Sequence, residues 1–175
     1  MSVETVVEAH SLSKSYGTLK AIDEISFEVR KGEIFGLIGA DGAGKTTTFR
    51  IIGGVLGEGA GEIRVLGSTP REARPQVGYL TQPFSLYQDL SVDENLNYAG
   101  GLREVSESDF STRRGRYFKL FDLDRFTDRL AGRLSGGMKQ KLALTCALIA
   151  DPSLLLLDEP TTGVDPVTRR TSGTL

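Results

Sequence analysis

The stretch Gly39-Ala40-Asp41-Gly42-Ala43-Gly44-Lys45-Thr46 constrains this chain more than any other. It fits G-x-x-x-x-G-K-[ST] in full. Before it runs "EIFGLIG" (33–39), a short apolar segment that predicts a buried strand. After it runs "KTTTFRIIGGVLG", which predicts a helix fraying at Gly53-Gly54. A glycine-rich turn between strand and helix lets backbone N–H groups point inward and wrap a polyphosphate. The positive end of the following helix faces the same anion. In such a loop Lys45 would reach the terminal phosphates, and the Thr46 hydroxyl would ligate Mg²⁺. The competing reading is a glycine-rich turn with a chance lysine. The strand-loop-helix context argues against that. A dinucleotide-binding turn is a poor rival, because G-x-G-x-x-G does not occur.

The rest of the chain supports an α/β domain with a largely parallel sheet. Ile25, Phe27 and Val29 alternate with polar residues as in a half-buried strand. "EIRVLG" (62–67) and "VGYLTQ" (77–82) read as further strands. Ser91 with Glu94 three residues on is a capping-box pattern, which predicts a helix from there to about Tyr98. Another helix is expected over Phe110–Phe121. "LLLLD" (154–158) is apolar on both faces, as a central parallel strand is, and ends in an acid. At that position Asp158 can hold Mg²⁺, directly or through water. Glu159, one residue on, can orient or deprotonate a water for attack on a γ-phosphate. Taken alone, the acid pair would simply cap a strand.

"LSGGMKQKLAL" (134–144) is harder to explain from folding alone. Two glycines open a helix whose Met138, Leu142, Cys146 and Ile149 recur at helical spacing. Glycine weakens a helix. Ser135 reads as an N-cap, and Ser135, Gly136 and Gly137 together read as a second anion site at a helix N-terminus.

Composition excludes several classes. The 175 residues suit one domain, 1–175, and the net charge of −2 offers no basic face for a nucleic-acid partner. One cysteine, Cys146, leaves no disulfide framework, and it reads as a small apolar helix residue rather than a reactive thiol. The single histidine, His10, makes a zinc site unfavourable. No signal peptide or membrane span is expected.

In their order and spacing these motifs resemble the ATP-binding cassette family, the nucleotide-binding domains of ABC transporters. The resemblance rests on the phosphate loop (39–46), Gln82 at the Q-loop, LSGG (134–137), LLLLDEP (154–160) and "GVD" (163–165), the D-loop. It implies a P-loop NTPase fold with a mainly parallel core sheet, an antiparallel N-terminal β subdomain and a helical subdomain carrying LSGG. The core and β part would span about 1–82 and 152–175, and the helical subdomain about 83–151. Tyr16 would stack on adenine, Gly39 to Thr47 would hold the phosphates, and Gln82 would sense γ-phosphate and Mg²⁺. Ser135–Gly137 would close over ATP held by a second nucleotide-binding domain, identical or homologous, and Asp165 would cross that interface. The implied activity is ATP hydrolysis driving a transmembrane permease subunit or domain from the cytoplasmic face of the membrane. "QPFSLYQDLSVDENL" (82–96) and "LSGGMKQKL" (134–142) resemble exporters of the drug or lipid type. The family domain continues past a point equivalent to Leu175, with a further core strand carrying a switch histidine, so a C-terminally incomplete core is expected. Two other readings follow: a remnant that binds ATP weakly without hydrolysis, and a soluble cassette ATPase acting on ribosomes or DNA. The acidic balance counts against the last.

Overall fold

The computed structural model describes residues 4–81 and 84–158. These fall into two compact units, divided between Val77 and Gly78.

In the first unit, β1 (Thr5–Tyr16) lies between β2 (Leu19–Arg30) and β3 (Ala60–Val65) in an antiparallel sheet. Tyr16 pairs with Leu19 across a tight turn whose Gly17 has φ +59°, the left-handed backbone that two-residue hairpins favour. Val7, Ala9, Leu12, Ile22, Ile63 and Val65 are buried and form much of its core. The β1 strand was not legible in the sequence. Its register shifts between Ala9 and Leu12, where Ser11 takes φ +45°, so its apolar residues do not alternate cleanly. The expected strand 62–67 ends at Val65, because Leu66 and Gly67 both take positive φ and turn the chain.

"EIFGLIG" (33–39) is not a strand and is not buried. Ile34 and Ile38 are 96 % and 95 % exposed, while Phe35 stacks on Phe27 with ring centroids 5.4 Å apart. A segment apolar on both faces becomes a buried strand only between two hydrogen-bonding neighbours. Among the described residues no strand pairs with it. Helix α1 (Lys45–Ile52) follows as expected and buries Thr48, Ile51 and Ile52. It ends where Gly53 and Gly54 bond back to the Phe49 and Ile51 carbonyls.

In the second unit, β4 (Val77–Leu80, begun at the junction) pairs with β5 (Leu154–Leu157). Gly78 lies against Leu155, and the Leu80 carbonyl accepts the Asp158 N–H, so the two strands run parallel. Parallel strands need a long crossover. Here it consists of α3 (Val92–Leu102), α4 (Glu107–Phe121) and α5 (Gly136–Leu148). Their core joins Val92, Leu96, Phe118, Leu123, Leu134, Leu142 and Ile149, with Met138 and Cys146 packed against it. The Ser91–Glu94 capping box is formed in both directions, and α3 runs four residues past Tyr98 to Leu102. Ser106 caps α4, which starts before the expected Phe110.

Candidate functional site

The phosphate loop is held by its own geometry. Gly42 and Gly44 take φ of +81° and +84°, backbone that L side chains rarely adopt. A Cβ on Gly44 would overlap the Ala21 carbonyl oxygen, so this position excludes any larger residue on steric grounds as well. Gly44 caps α1, and the first intrahelical bond runs from Thr48 N–H to Gly44 O at 2.8 Å. The N–H groups of the preceding turn therefore face out of the helix end, toward the loop. Lys45 folds over that loop. Its Nζ donates to the carbonyls of Gly39 and Ala40, 2.8 Å each, and stands 3.9 Å from Asp41 Oδ1. Thr46 and Thr47 occupy the first turn of α1 and are half-buried. Tyr16 ends β1 in the same unit and is 45 % exposed.

The acidic strand end belongs to the second unit. Asp158 follows β5 directly and is only 3 % exposed. The Tyr79 hydroxyl lies 3.4 Å from its Oδ2, a long contact. A buried carboxylate and a threonine hydroxyl are the hard oxygen donors that Mg²⁺ takes. Asp158 and Thr46 fit that requirement in kind, each within its own unit.

LSGG lies at the start of α5. Ser135 Oγ accepts the Met138 N–H at 3.3 Å, so Ser135 is an N-cap. The first intrahelical bond is Lys139 N–H to Ser135 O. The N–H groups of Gly136 and Gly137 precede it and are left to groups outside the helix. A Cβ built on Gly137 meets nothing within 4 Å, and its φ is not positive. Among the described residues, nothing requires glycine there.

Gln82, Glu159 and Asp165 lie outside the described residues. Cys146 fits the apolar reading, since burial pushes its thiol up to about 12, where little reactive thiolate forms at neutral pH. Sequence reasoning missed Asn95, which is 3 % exposed. Its side chain accepts the Tyr87 N–H and donates to the carbonyls of Tyr87, Leu90 and Ser91. It thereby anchors the segment that follows Gln82. The one available signal was an asparagine at a core-facing position of the capped helix.

An α/β chain with a glycine-cradled lysine at a helix start and a buried acid closing a parallel strand has the fold of the P-loop NTPase class. The comparisons narrow the class. Residues 22–162 match the ABC transporter family, and the chain belongs to it. It is 43 % identical over 171 residues to the probable multidrug ABC transporter ATP-binding protein YbhF of Escherichia coli K12, covering 95 % of this chain and 30 % of that protein. It is 40 % identical over 170 residues to the Nod factor export ATP-binding protein I of Paraburkholderia xenovorans LB400, covering 95 % of this chain and 56 % of that one. The chain thus spans from under a third to just over half the length of these relatives. A solved ATP binding subunit of an ABC transporter superposes with a TM-score of 0.85 at 32 % identity, covering 95 % of this chain and 71 % of that one.

Proposed function

We propose that this chain binds MgATP and forms the nucleotide-hydrolysing part of an exporter, working with a transmembrane permease and a second nucleotide-binding domain. The observation that carries the reading is the Lys45-capped loop, with Gly42 and Gly44 in left-handed backbone and the α1 N-terminus behind it. This arrangement presents backbone donors and one cation to a polyphosphate. The relatives named for multidrug transport and Nod factor export support the export direction.

In this reading the residues divide the work as follows. The backbone of Gly39 to Thr47 and the Lys45 side chain hold the phosphates, and Tyr16 is exposed to receive the base. Thr46, Asp158 and Gln82 would supply oxygen ligands to Mg²⁺, which would neutralise charge on the transferring phosphoryl group. Glu159 accepts a proton from the attacking water. Ser135–Gly137 dock on nucleotide held by the second domain, with Asp165 at that interface. The open side of Gly137 supports this role, because no packing among the described residues explains the glycine.

The test is a calorimetric titration with MgATP, run on the parent chain and on Lys45→Ala. Loss of charge-assisted hydrogen bonds of about 1.5–3 kcal/mol predicts binding weaker by roughly ten- to hundredfold. An unchanged dissociation constant would remove the phosphate-loop assignment. For hydrolysis, Glu159→Gln should retain binding and stop turnover; a variant that still turns over at the parent rate would take Glu159 out of the base role. One observation favours a second reading, binding without hydrolysis. Among the described residues the segment leading into the loop pairs with no strand and leaves Ile34 and Ile38 exposed, and a catalytic geometry needs rigid elements behind it.

A further inference from the structure

Asp41 is the one acidic residue within the phosphate loop. Its carboxylate is fully exposed and stands 3.9 Å from Lys45 Nζ, whose own side chain is only 17 % exposed. No other acidic group is recorded within ion-pair distance of that ammonium among the described residues. A lysine ammonium has three donors. Two of them point at the Gly39 and Ala40 carbonyls. A phosphoryl oxygen bonded to the same Nζ at about 2.8 Å would lie within about 7 Å of the Asp41 carboxylate. That distance is inside the Debye length at physiological salt, about 8 Å.

Resting on the nucleotide-binding reading, we propose that Asp41 is a built-in counter-charge to Lys45 that competes with the polyphosphate, weakens binding of the more highly charged forms and so favours MgATP over metal-free ATP. The chemistry is electrostatic only. The carboxylate lowers the positive potential at the ammonium and repels each phosphoryl charge brought to it. Repulsion scales with ligand charge. Metal-free ATP carries about four negative charges at neutral pH and MgATP about two, so Asp41 penalises the first more than the second. A side chain that merely supported the loop would do the opposite, since its removal would weaken every ligand.

The test is a set of titrations of the 175-residue chain with ATP in EDTA, MgATP and ADP, at low and at physiological salt. Asp41→Asn keeps the shape and removes the charge. It should tighten metal-free ATP by roughly three- to tenfold at low salt, tighten MgATP less, and lose part of its gain as salt rises. Asp41→Ala should move in the same direction, which guards against an effect peculiar to the amide. Equal or weaker binding of metal-free ATP by both variants overturns the counter-charge role. So does an equal gain for ATP and MgATP. Lys45→Ala separates the two levels. If it weakens binding while Asp41→Asn changes nothing, Asp41 is inert and the loop assignment stands. If the parent chain binds no nucleotide, or binds it as well without Lys45, both assignments fall.

Discussion

Gly44 and Gly137 both stand at a helix start, yet for opposite reasons. At Gly44 the backbone has φ +84°, and a Cβ would strike the Ala21 carbonyl. The fold itself forbids a side chain. At Gly137 the φ is not positive, and a Cβ would meet nothing within 4 Å among the described residues. The fold would accept alanine there, and helix propensity would favour it. One glycine is required by what surrounds it in the chain; the other, in the function proposed above, is required by what comes to the chain from outside. A glycine that costs stability and relieves no internal clash marks an approach surface.

Substitution at these two positions tests the contrast most directly, beginning with the larger effect. Gly44→Ala should destabilise the first unit by about 1–3 kcal/mol from backbone strain alone, with more from the overlap, and should abolish nucleotide binding. Thermal unfolding and a MgATP titration measure both. A variant as stable as the parent would show that the left-handed cap is not needed. Asn95→Leu leaves the Tyr87 N–H and the carbonyls around it without their partner. About 1–3 kcal/mol of stability should go with it. Because Asn95 is far in sequence from either glycine, its cost calibrates what an internally required residue is worth in the second unit.

Gly137→Ala should act in reverse. It should raise the stability of the isolated chain by up to about 1 kcal/mol and leave its own nucleotide affinity unchanged, while impairing closure on a second domain. Destabilisation in chemical denaturation would mean that α5 does need glycine, and the contrast would collapse.

The smallest effects are in pH. Hydrogen bonds from the Ser91 backbone and then its hydroxyl lower the Glu94 pKa at the start of α3. The capping box therefore contributes fully above the ordinary glutamate pKa and fades as pH falls through the lowered one. His10 has the opposite sign. Its hydrogen bond to Glu8, aided by the charges of Glu28 and Glu62 and opposed by slight desolvation, raises its pKa. Its contribution is complete below about 6.5 and is lost as pH rises through the raised value. Ser91→Ala should cost about 1 kcal/mol near neutrality and flatten the acid limb of the stability curve. His10→Gln should flatten the limb near neutrality by a barely resolvable amount. A Ser91→Ala profile parallel to that of the parent would sever the capping box from the acid limb.

Local patterns of residues determined much of this protein. The phosphate loop, the Ser91–Glu94 box, the Ser135 cap and the α1, α3, α4 and α5 helices were legible because each depends on contacts within a few residues. The acid at the end of β5 was legible from the unbroken apolar run before it, although that strand forms only by pairing with β4. Only tertiary structure decided the rest. The register shifts of β1 arise from pairing with two distant strands. Asn95 became a hub because the chain folds its own loop back onto the helix. The segment 33–39 has the composition of a buried strand, but burial is conferred by neighbours, and hydrogen-bonding edges are supplied from elsewhere in the chain. Composition can declare that a segment suits a sheet interior; only the arrangement of other strands can place it there.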